Sequence, residues 1–75
     1  MTKHKFYVEA KLQRNDADQR WVRMDYFMGV ESSVDYMRQV RHSVDGAGYL
    51  LFSKVRIRHR GFTLETSSCW LRVKQ

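Results

Sequence analysis

Two pairs of stretches in this chain alternate with a period of two, and between the pairs lies one stretch with helical spacing. That pattern admits few folds. Phe6, Val8, Ala10 and Leu12 fall on one side of a strand and Lys5, Tyr7, Glu9 and Lys11 on the other. The alternation resumes after the polar run Arg14-Asn15-Asp16-Ala17-Asp18-Gln19. Asn and Asp there favour a turn, so the two strands form a hairpin. In the second strand Val22, Met24, Tyr26 and Met28 are expected to face inward, and Trp21, Arg23, Asp25 and Phe27 outward.

Val34, Met37, Val40, Arg41 and Val44 then recur at helical spacing, with Tyr36 at the edge of the stripe. Ser32 is the expected N-cap and Gly46 the expected left-handed stop. A third strand is expected from Tyr49 to Arg60, starting about three residues after the helix, and Arg60-Gly61 reads as a two-residue hairpin turn. On the return strand Phe62 and Leu64 point inward, with His59 opposite Phe62, Ile57 opposite Leu64 and Arg56 opposite Glu65. Cys69, Leu71 and Val73 are odd-numbered, so keeping them inward requires a bulge, placed at Thr66-Ser67-Ser68. The predicted fold is α+β, in the order ββαββ. It is a four-stranded antiparallel sheet with one helix packed on one face and a basic, aromatic face opposite. The expected strand order is 2-1-3-4.

The length of 75 residues fits one small domain, 1–75. A core of this size leaves roughly 3–5 kcal/mol of net stability. With a single cysteine no intrachain disulfide can form, and no apolar run reaches membrane-spanning length. The N-terminus has no signal-peptide pattern, so a cytoplasmic location is expected. An edge strand leaves both a monomer and a homodimer open.

Charge carries the functional information. The formal net charge is +6, and residues 49–75 hold six basic residues against one acidic. Lys54, Arg56, Arg58 and Arg60 alternate with Val55, Ile57 and His59, so four cations project from one side of one strand. Like charges in a row repel one another, and the arrangement suits an anionic partner. On the same open face the alternation places Lys5, Tyr7 and Lys11 from the first strand. It adds Trp21, Arg23 and Phe27 from the second, and Trp70, Arg72 and Lys74 from the last.

Rings interleaved with cations can stack bases and hold phosphates, so single-stranded nucleic acid is the favoured partner. The open-sheet logic resembles that of RNA-recognition sheets. Their octapeptide K/R-G-F/Y-G/A-F-V-x-F/Y does not occur here, and membership does not follow. The competing structural reading packs Trp21 and Trp70 over Lys and Arg stems, or buries them in a dimer. The competing function is a small inhibitor or adaptor, of the kind common among phage and mobile-element products, that docks its basic face on an acidic surface of a host protein complex.

No catalytic, metal or cofactor site is expected. His4, His42 and His59 are not spaced as metal ligands, and Gly46-Ala47-Gly48 lacks a phosphate-loop context. A metal-independent nuclease would need His59 beside Arg56 and Arg58, whereas alternation puts them on opposite faces. His42 is expected in solvent, and Cys69 as a small core residue.

Overall fold

The structure is a computed structural model, and it describes residues 4–13 and 20–71. Four strands and one helix follow in the order β1 (Phe6–Leu12), β2 (Trp21–Phe27), α1 (Val30–Val40), β3 (Phe52–His59) and β4 (Phe62–Ser68). They form one antiparallel sheet in the order β2-β1-β3-β4, the expected ββαββ fold and strand order. The helix lies over β1, β3 and β2, and not over β4.

The core sits between helix and sheet: Val8 and Ala10 from β1, Met37 and Val40 from α1, Phe52, Val55 and Ile57 from β3. Five of the seven come from the two central strands, against which the helix packs most closely. Ser33 is also fully buried on the helix stripe, and its hydroxyl donates to the Val30 carbonyl at 2.6 Å. That bond satisfies a polar group that would otherwise be costly in the core.

Three bulges set which side chains face which way. Met24 is the extra residue on β2 opposite Val8 and Glu9. Ser53 is extra on β3, opposite Lys11 and Leu12. Leu64 is extra on β4, opposite Ile57 and Arg58. Each inserts one residue and reverses the phase of the alternation beyond it.

The bulge at Met24 corrects the expected orientation of Phe27. Phe27 is paired with Phe6, packs against the core and meets the Tyr36 ring at 5.3 Å. It does not belong to the open face. Tyr26, expected inward, takes that place opposite Tyr7. The bulge in β4 lies at Leu64 rather than at Thr66-Ser67-Ser68, so Ile57 opposes Glu65, and Arg56 opposes Thr66. His59 opposes Phe62 as expected. Phe62 and Leu64 are nonetheless exposed, because the helix does not reach β4.

The helix starts earlier than the serines implied. Gly29 is its N-cap, without a side-chain capping bond, and Ser32 lies inside the first turn. At the other end Arg41 is the C-cap in the right-handed region, and the left-handed glycine is Gly48, not Gly46. Residues 41–51 form a longer connection than expected, pinned by Asp45. Its carboxylate accepts from the Ala47 and Tyr49 amides at 2.8 and 3.1 Å, beside a Val44–Leu50 bridge. Val44 is therefore part of this connection and not of the helix.

Candidate nucleic-acid interface

The face of the sheet turned away from the helix carries Lys5, Tyr7, Glu9 and Lys11 of β1 and its approach. It also carries Trp21, Arg23 and Tyr26 of β2, and Lys54, Arg56 and Arg58 of β3. Register makes Glu9 the direct neighbour of Arg23 on one side and of Arg56 on the other. Glu9 is 7 % exposed, although it lies on the uncovered face. Its Oε1 accepts from Arg56 Nε at 2.9 Å and its Oε2 from Arg23 Nη2 at 3.2 Å. The two guanidinium groups roof the carboxylate, one from each flanking strand.

The rings continue this layer. Arg56 lies over Trp21, with its Cζ 4.0 Å from the ring centre, and Lys11 Nζ is 5.1 Å from the same ring. Arg23 covers Tyr7 at 3.8 Å, and Lys5 Nζ covers Tyr26 at 4.2 Å. Each contact holds a cation over a π face, where the ring quadrupole attracts it. The stack runs Lys5–Tyr26, Tyr7–Arg23–Glu9–Arg56–Trp21–Lys11 across three strands. Each of these rings thus has a guanidinium or ammonium group against it.

Beyond this layer lies the β3–β4 side. Register pairs Lys54 with Ser68, Arg56 with Thr66 and Arg58 with Thr63, a cation beside a hydroxyl three times in succession. Arg58 Nη1 donates to Thr63 Oγ1 at 2.7 Å. Lys54, Arg58 and Arg60 have no carboxylate partner among the described residues. At the end of the sheet where β3 turns into β4, a depression of about 410 Å³ is lined by His4, Lys5, Arg23, Arg58, His59 and Arg60, with Tyr7 and Gly61 completing it. Among the described residues no carboxylate lines it. Arg60 and Gly61 both have positive φ, 53° and 81°, the pattern of a type I′ turn.

Trp70 is not part of this face. The chain leaves β4 after Ser68 and turns toward the C-terminal end of the helix. There the Trp70 amide donates to the Arg41 carbonyl at 3.2 Å, and Arg41 stacks on its ring at 4.5 Å. His42 meets the same ring edge-on at 5.0 Å, and its Nδ1 is 3.0 Å from the Trp70 carbonyl oxygen. His42 is thus engaged rather than free in solvent. Cys69, alongside, is half-buried against the core; desolvation pushes its thiol pKa up, and the Arg41 charge only partly offsets this. Arg72 and Lys74 lie outside the described residues, as do Val73 and the Arg14–Gln19 turn.

His59 behaves as alternation implies, with its ring stacked on Phe6 at 3.9 Å and Nδ1 3.3 Å from the Lys5 carbonyl oxygen. Sequence reasoning missed Tyr26, Thr63 and Glu9's pairing. The last was accessible in principle, since Glu9 is the one acid on a strand flanked by two arginine-bearing strands. Among the described residues, three or more His, Cys, Asp or Glu side chains do not converge as metal ligands. Among the described residues no helix is long and apolar enough to cross a membrane. No known protein family, curated protein or solved structure matches the chain.

Proposed function

We propose that the protein is a small nucleic-acid-binding module that holds a single strand through its phosphates, along the β3 cation row and the β3–β4 turn. The observation that carries this reading is the sequence Lys54, Arg56, Arg58, Arg60. Its first three members each sit beside a β4 hydroxyl, and Lys54, Arg58 and Arg60 lack a carboxylate partner among the described residues. Alternate residues on a strand are about 6.7 Å apart. The row therefore offers repeated donors to a repeated anion. The hydroxyls add neutral donors that a phosphate oxygen accepts as readily.

Base contact in this reading is made to arginine planes. Arg56 and Arg23 already lie over Trp21 and Tyr7, and a base stacking on the outer side of either guanidinium would add one layer. A flexible single strand can follow the twisted row while turning its bases inward; a stiff duplex presents its phosphates and keeps its bases stacked. The double variant Lys54→Glu with Arg58→Glu tests the reading, because neither residue pairs with Glu9 among the described residues. Oligonucleotide affinity should fall by at least about a hundredfold at low salt, with the circular dichroism spectrum unchanged. Unchanged affinity in a folded variant would refute it.

A second reading rests on a separate observation. Phe62 and Leu64 are 71 % and 51 % exposed on the edge strand, and Phe62, paired with His59, faces away from the cation row. A protein partner with an acidic surface and an apolar pocket would use both features, as an inhibitor or adaptor does. Phe62→Ala separates the two: it should leave oligonucleotide binding intact and abolish capture of such a partner.

A further inference from the structure

We infer that the depression at the β3–β4 turn is a pocket for a terminal phosphate monoester, so that the protein distinguishes phosphorylated from hydroxyl strand ends. The inference rests on the nucleic-acid reading above and assigns this end of the surface a separate task.

Four features support it. The first is convergence. Along β3 the cations form a row, but here His4 and Lys5, Arg23, Arg58 and His59, and Arg60 approach one depression from β1 and its approach, β2, β3 and the turn. A diester within a chain has two unshared oxygens and must both enter and leave. A terminal monoester has three, carries nearly two negative charges at neutral pH, and only needs to enter. Several donors around one concave site match the second geometry.

Size is the second feature. About 410 Å³ lies within the usual range of small-ligand pockets, roughly 300–1,000 Å³, and is ample for a phosphate with its sugar. The third is electrostatic: Arg23 is held by Glu9, but among the described residues Lys5, Arg58 and Arg60 have no carboxylate partner, and no acid lines the pocket to compete with an incoming anion.

The fourth is backbone strain. Arg60 adopts φ 53°, which side-chain-bearing residues other than Asn and Asp rarely take. A type I′ turn is satisfied best by Asn-Gly. An arginine held there at a conformational cost, with its side chain lining a cationic pocket, is the kind of outlier that points to a ligand.

The test compares oligonucleotides of one sequence bearing a 5′-phosphate, a 3′-phosphate or hydroxyl ends, by fluorescence anisotropy competition. A hydroxyl-ended strand one nucleotide longer controls for the added charge. A phosphorylated strand should bind about tenfold tighter than either hydroxyl strand. Arg60→Asn should bring that ratio toward one without unfolding the domain, because it creates the preferred turn dipeptide. Equal binding of all four strands would overturn the pocket assignment and leave the nucleic-acid reading standing. Binding of none would overturn both. A preference that survives in Arg60→Asn and also in Arg58→Ala would place the phosphate elsewhere and overturn the assignment.

Discussion

Glu9 Oε1 lies 2.9 Å from Arg56 Nε, across the β1–β3 ladder, on a face of the sheet that no helix covers. That contact explains how so basic a surface can fold without tearing itself apart. It gives two of the arginines an internal counter-ion and leaves the outer β3 cations to external ones. Arg23 Nη2 completes the bridge from the other side at 3.2 Å.

Glu9→Gln should therefore act in opposite directions on stability and binding. It removes one charge-assisted partner from each arginine, at a cost of about 1–2 kcal/mol, moderated because Arg23 is substantially solvated. It also releases two guanidinium groups toward solvent. Thermal melts should show a loss of several degrees, while oligonucleotide affinity at low salt rises several-fold. Lower affinity in the folded variant would mean that Glu9 is needed to orient the arginines for the ligand.

Arg60→Asn should stabilise the fold by about 0.5–1 kcal/mol, since asparagine tolerates the left-handed region that Arg60 occupies. For a domain of this size that is a rise in Tm of about 2–8 °C. A stabilised variant that binds oligonucleotide less well would show that the strained arginine is retained for its ligand.

Phe27 and Tyr26 report on the bulge at Met24. Phe27→Ala removes a ring packed on the core and on Tyr36, and should cost about 2–3 kcal/mol, less than a fully enclosed aromatic. Tyr26→Ala removes a ring 49 % exposed on the open face of the sheet, beside Lys5. It should change stability by less than about 1 kcal/mol and weaken binding instead. Denaturant melts on the two variants would show the reverse order if β2 kept an unbroken alternation.

Cys69 should make stability fall at alkaline pH. Burial raises its thiol pKa above the usual value, and the Arg41 charge only partly offsets this. Between the two values the unfolded chain has lost the proton while the folded chain retains it. The unfolded state then binds fewer protons, and stability declines as pH rises above the ordinary thiol range, near about 8.5. Cys69→Ala should flatten that decline in urea melts from pH 8 to 10. Alkylation of the native protein should lag behind that of a free thiol throughout the range.

The strands, the helix and their order were legible because the period-two and helical patterns on either side of Gly29 are clean. The facing of individual residues was legible only between bulges. Val22, Met24, Tyr26 and Met28 alternate as well as Trp21, Arg23, Asp25 and Phe27 do, and nothing in the local composition marks Met24 as the extra residue. What decides is tertiary: Phe27 has the helix above it at Tyr36, and Tyr26 has Tyr7 beside it. Trp70 was misplaced for a related reason. Its partners, Arg41 and His42, lie about thirty residues away, and only the fold brings the end of β4 to them. By contrast, β3 carries no bulge between Lys54 and His59, and its cation row stands where the alternation put it.

The most direct test of phosphate binding along that row is the salt dependence of oligonucleotide affinity. Three phosphate contacts, at Lys54, Arg58 and Arg60, at about −0.7 each predict a slope of log K against log salt near −2 for a single strand. Lys54→Glu with Arg58→Glu should reduce the magnitude of that slope by about two-thirds. A slope near zero, or one that the double variant leaves unchanged, would contradict the account.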